Sequence, residues 1–111
     1  MRAFLHFDLL RGFAFSYVTG KDELAIPYVD KVTNKPVAQS TVAEVLERII
    51  TEAEEARKLI REVDPLGPAY DTYTESGYKS EDFIQGGGFW LYRKSKLNYY
   101  GITAFLARVY L

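Results

Sequence analysis

Cysteine is missing altogether, and histidine occurs once, at position 6. The first absence excludes disulfides, thiolate nucleophiles and cysteine-ligated zinc, while leaving the redox compartment open. The second leaves any zinc site to be built mainly from carboxylates, an unusual ligand set for that metal, and gives a serine triad little to work with. No serine stands in a Gly-x-Ser-x-Gly setting, and Gly86-Gly87-Gly88 lacks the spacing and the Lys-Ser/Thr ending of a phosphate-binding loop. No metal, cofactor or reaction is therefore expected. Charge of one sign is also missing: 14 Lys and Arg stand against 15 Asp and Glu, a formal net charge of -1. Such a surface has no excess field to gather nucleic-acid phosphates or an anionic membrane. No apolar run approaches the roughly 20 residues that a membrane-spanning helix requires.

What is present is apolar and aromatic. With 111 residues, 48% of them hydrophobic and 15% aromatic, the chain suffices for one domain with a core, and is too short to suggest two. Residues 1 to about 18 carry Leu5, Leu9, Phe13 and Tyr17 at steps of four, with Phe4 and Phe7 widening the stripe. That spacing predicts a helix wrapped by neighbours, which Gly12 weakens only slightly. Gly20 punctuates it, and Pro27 and Pro36 predict an extended loop over residues 20 to 39.

A second helix is expected over 41–63. Thr41 and Glu44 fit the capping box, in which each side chain satisfies an amide at the other's position. Val42, Val45, Leu46, Ile49, Ile50, Ala53, Ala56, Ile60 and Val63 then form one apolar stripe, and Asp64-Pro65 ends it. Glu44 with Arg48 and Glu54 with Lys58 are spaced to pair across one turn. Glu52, Glu54 and Glu55 read as a solvated face and not as catalytic carboxylates. Residues 64 to 92 show no sustained period, and a loop that long is functional or disordered. A third helix is expected over about 97–111, with Tyr99, Ile102, Leu106, Val109 and Tyr110 on one face and the small Gly101, Ala104 and Ala107 on an adjoining strip. The fold class is all-α. No Gly or Asn follows the closing helical pattern and no leader pattern opens the chain, so both ends are expected to be cuts, and apolar faces left bare would make the isolated chain self-associate.

Four blocks in order carry a family resemblance. They are Arg2-Ala3 with Phe7-Asp8-Leu9 and Arg11; Ala25-Ile26-Pro27-Tyr28-Val29; Ser40 to Val45 with Ile49-Ile50, Glu54 and Ala56; and Asn98-Tyr99-Tyr100 with Ala104 to Leu111. In order and spacing they resemble the SusD/RagB family over nearly the whole chain except about 64 to 95, and the closing Leu-Ala-Arg-Val-Tyr-Leu run is the most specific part. The resemblance implies a fragment of a helical, tetratricopeptide-like fold with long irregular loops. It also implies a surface lipoprotein of the outer membrane that binds oligosaccharides or other nutrients and sits over a TonB-dependent, SusC-like transporter. The chain lacks the family's lipidated cysteine and much of its length. A tetratricopeptide-like adaptor holding a peptide or partner helix is the competing expectation.

Ligand contacts are sought among the aromatics, because flat rings match the C–H faces of sugars while the Tyr hydroxyl and Trp N–H keep hydrogen-bonding capacity. Tyr70, Tyr73, Tyr78, Trp90 and Tyr92 lie in or beside the long loop, where helix packing does not demand them. For Trp90 and Tyr92, with Phe89, covering the core made by the helices is the stronger reading. His6 is expected to be a helical core residue. Arg2, Asp8 and Arg108 are expected in buried structural pairs.

Overall fold

The computed structural model describes residues 1–63 and 96–111. Over them the chain is all-α: α1 (Arg2–Phe13), α2 (Tyr17–Gly20), α3 (Val42–Val63) and α4 (Tyr99–Tyr110). None of these helices is long and apolar enough to cross a membrane. The expected long loop lies outside the described residues. The chain packs as two units, one of Met1–Ala53 with Val109–Leu111 and the other of Glu54–Arg108.

In the first unit, the first expected helix is broken. α1 stops at Phe13, and Ala14 turns extended at φ -117 and ψ 166 while its N–H still bonds Leu10 O at 3.0 Å. Ser16 then opens α2, its carbonyl accepting from the Thr19 and Gly20 amides at 3.1 and 2.9 Å. The break folds Phe15 back over Gly20. A Cβ built on Gly20 would meet Phe15 Cβ at 2.7 Å, closer than side chains tolerate, so this return needs glycine.

The buried face of α1 also differs from the expected one. Ala3, His6, Phe7 and Leu10 are buried, whereas Leu5, Leu9, Phe13 and Tyr17 are exposed, Leu9 by 48% against 5% for Leu10. A helix apolar on all sides has no stripe of its own to choose a face, so specific contacts decide its rotation. Here Arg2 and His6, on or beside the buried face, make those contacts.

Residues between α2 and α3 form no helix, as expected, and close on themselves through an antiparallel bridge between Leu24 and Thr41. Ala25 N–H donates to Ser40 O at 2.8 Å, Ser40 N–H to Ile26 O at 3.2 Å, and the Gln39 amide to Ala25 O at 2.9 Å. Residues 29–39 project from this closure and are all exposed.

α3 begins where the capping box places it. Glu44 Oε2 accepts from Thr41 N–H at 2.9 Å, and Thr41 Oγ1 accepts from Glu44 N–H at 3.3 Å. The first amides of a helix lack partners within it. In α3 they find them on the incoming chain: Val42 N–H donates to Glu23 O at 3.1 Å and Ala43 N–H to Lys21 O at 2.9 Å. Val42, Val45, Ile49 and Ala53 are buried, as their spacing predicts, and complete the core with Ala25, Ile26 and Tyr28. The expected Glu44–Arg48 pair does not form, because the cap takes Glu44 and Arg48 lies over the Tyr28 ring at 5.6 Å.

In the second unit, Ala56 and Ile60 are half-buried, while Val63, the last member of the expected stripe, is exposed. Glu54 pairs with Arg57 three residues on, and not with Lys58. Asn98 starts α4: its Oδ1 accepts from Gly101 N–H at 2.8 Å and its carbonyl from Ile102 N–H at 2.9 Å. That is the N-cap arrangement. Phe105 and Leu106 are the buried residues of this helix.

Candidate functional site

Tyr70, Tyr73, Tyr78, Trp90 and Tyr92 all lie outside the described residues. Among the described residues, chemistry-bearing side chains concentrate in the first unit, where Arg2 and His6 of α1, Tyr28 of the extended segment, and Arg48 and Glu52 of α3 come together.

His6 is held on three sides. It is 9% exposed, and its ring stacks on Tyr28 with centroids 4.2 Å apart and planes 28° from parallel. The backbone N–H of Val29 lies 3.1 Å from Nε2, and the Arg2 carbonyl oxygen lies 3.0 Å from Nδ1. A backbone N–H only donates and a carbonyl only accepts, so Nε2 is the bare nitrogen and Nδ1 carries the hydrogen. Both nitrogens are thus committed to backbone, and neither is left to serve as a base or a metal ligand. The expectation of a core histidine agrees with this placement.

Arg2 is the second anchor. Its guanidinium donates from Nε to Glu52 Oε2 at 3.0 Å, from Nη2 to Glu52 Oε1 at 2.6 Å, and from Nη1 to the Asp30 carbonyl at 2.7 Å. The fork matches the carboxylate bidentately, which fixes orientation as well as distance. Hydrogen bonding to Glu52 raises the Arg2 pKa above its ordinary value, against the opposing effect of desolvation. Arg2 and Glu52 therefore tie α1 to α3, and Arg2 and His6 together tie the segment around Val29 and Asp30 to α1.

Tyr28 sits between these groups and is buried. Burial first, and then the neighbouring Glu52 carboxylate, push its hydroxyl up to about 12 from an ordinary 10.0. Although Glu52 and Arg2 are near enough to act on it, no hydrogen bond of acceptable geometry reaches the hydroxyl among the described residues. The cluster as a whole is a clamp. Its imidazole is saturated, its arginine is shared between two acceptors and its phenol is held neutral.

The expected buried pairs take a different form. Arg2 is paired, yet its side chain is 46% exposed; Asp8 pairs with Arg11 at 3.5 Å with both side chains in solvent; and Arg108 is exposed. Helix ends and helix outer faces keep long charged side chains wet even when they are bonded, which lowers their desolvation cost. Glu52 was expected on a solvated face and is instead the acceptor of Arg2. Fifty residues separate the two, so no spacing rule could have joined them. The Ala25 to Val29 block already marked Tyr28, without its role.

Among the described residues, no group of three or more His, Asp or Glu is placed to hold a metal ion. No family model, curated protein or solved structure matches the chain.

Proposed function

We propose that this chain is a helical segment of a SusD/RagB-type nutrient-binding lipoprotein of the outer membrane. In this reading it takes part in capturing oligosaccharide for a TonB-dependent transporter and catalyses no reaction. The observation that carries the reading is the order of the four sequence blocks. It is supported by what three of those blocks do in the first unit: Ala3 and Phe7, then Ala25, Ile26 and Tyr28, then Val42, Val45 and Ile49 supply the buried core. Residues that resemble a family pattern at positions where the core needs them belong to a scaffold. The binding surface is assigned to Tyr70, Tyr73, Tyr78, Trp90 and Tyr92, whose rings would stack on pyranose faces.

The test is calorimetric titration of the protein with a panel of oligosaccharides, alongside its Trp90→Ala variant. We expect saturable binding to at least one glycan and a weaker affinity in the variant. A panel without any saturable heat at concentrations on the order of millimolar would remove the glycan reading. Unchanged affinities in Trp90→Ala would remove the aromatic surface while leaving the glycan reading in place.

A tetratricopeptide-like adaptor is the second reading, and one observation favours it. Leu5, Leu9 and Phe13 line up on α1 and are exposed, an apolar row of the kind that receives a partner helix. We propose the same row as the face through which the isolated chain self-associates.

A further inference from the structure

The loop of residues 29–39 is exposed along its whole length and is held at its base from two sides. On the far side the hold is a backbone pairing, with Ala25 and Ile26 bonded to Ser40. On the near side it is two side chains: Arg2 donates to the Asp30 carbonyl, and His6 takes the N–H of Val29, the first residue of the exposed run, on Nε2. The two attachments differ in kind. A backbone pair keeps its donors and acceptors at any ordinary pH, whereas an imidazole accepts through Nε2 only while that nitrogen is bare.

We propose that His6 is an acid-released pin at the base of this loop. Adding a proton to Nε2 turns the acceptor into a donor facing another donor, the Val29 amide, and the bond is lost. Nδ1 cannot relieve the conflict, since its hydrogen is already given to the Arg2 carbonyl at 3.0 Å. The charged groups around the ring do not rescue the imidazolium. From α1, Arg2 is itself a cation; from α3, Arg48, also a cation, lies over the Tyr28 ring at 5.6 Å, and the Glu52 carboxylate is taken up bidentately by Arg2. From the extended segment, Tyr28 presents its ring face, and Asp30 gives its backbone carbonyl to Arg2 while its carboxylate acts on that same cation. Acidification therefore frees the Val29 amide, while the Arg2 bond to the Asp30 carbonyl and the Ala25–Ser40 pairing keep their partners.

Amide hydrogen exchange on the whole chain tests this, corrected for intrinsic exchange and compared from about pH 8 to about pH 5, the span in which imidazoles change charge. The Val29 amide is expected to lose protection by roughly tenfold or more across that span, the ordinary worth of one buried hydrogen bond. The Ala25 amide, bonded to Ser40 at 2.8 Å, is expected to keep its protection in the same molecule. His6 is the only histidine, but the amino terminus also changes charge in this range. A His6→Gln variant, whose side chain does not titrate, separates them and should abolish the pH response of Val29. Protection of Val29 that does not change with pH, loss at Val29 and Ala25 together, or a Val29 response that survives in His6→Gln would each overturn the pin. If His6→Gln does not fold, the Val29 and Ala25 comparison is repeated with the amino terminus acetylated, and a Val29 response that disappears there overturns the pin.

Discussion

α1 and α3 are both rich in apolar residues, yet they hold their orientation by different means. α3 alternates an apolar stripe with charged residues, so only one rotation buries Val42, Val45, Ile49 and Ala53 while leaving Glu47, Arg48 and Glu55 in water. α1 carries leucine or phenylalanine on almost every side, and hydrophobicity alone would accept several rotations at similar cost. What selects one is polar and specific: the Arg2 fork on Glu52 and the two hydrogen bonds of His6. In this molecule the apolar contacts supply adhesion and the polar contacts supply register.

Truncating neighbouring leucines of α1 should separate the two helices' behaviour most strongly. Leu10→Ala should cost about 2–5 kcal/mol in chemical denaturation, as expected for a buried leucine, whereas Leu9→Ala should stay within about 0.5 kcal/mol. Equal losses at the two positions would mean that α1 is rotated from the placement described. Sedimentation of Leu9→Lys adds a second readout, because self-association through the Leu5, Leu9 and Phe13 row should weaken there. A chain that is strictly monomeric before substitution would discard that interface.

The next effect comes from the clamp. Since the folded Tyr28 is pushed up to about 12 from 10.0, its contribution is fully present below pH 10 and is lost as pH climbs toward 12. The loss should be on the order of 2 kcal/mol. Tyr28→Phe removes a buried hydroxyl that has no hydrogen bond among the described residues. It should leave neutral-pH stability nearly unchanged and flatten the alkaline limb of the stability curve. An alkaline limb of the same slope in the variant would place the titration elsewhere.

The smallest effect sharpens the account of α3. Thr41→Ala removes one half of the capping box and should cost about 1 kcal/mol in thermal or denaturant unfolding. It should cost nothing if the Glu23 and Lys21 carbonyls already hold the start of the helix without it.

Which features were legible in the sequence follows from how local their causes are. The start of α3, its buried stripe and the absence of helix between Lys21 and Thr41 all rest on residues a few positions apart, and all could be read from spacing. The N-cap at Asn98 was equally local, but its signal is a single side chain without the reciprocal acidic partner that made Thr41 and Glu44 conspicuous. The break after Phe13 was not legible, because it depends on Phe15 returning over Gly20 and not on any strong helix breaker at the break itself. The aromatic ligand surface was read from composition, and its residues lie outside those described.

Spacing alone was enough to establish that the chain is helical, that α3 begins at its capping box, and that α3 buries Val42, Val45, Ile49 and Ala53. These follow from interactions within one or two helical turns. Folding was needed to select which face of α1 is buried, to bring Glu52 to Arg2, and to fasten Val29 to the one histidine. Each of those joins residues distant along the chain, and an apolar helix without a preferred face takes its rotation from the partners that folding brings to it.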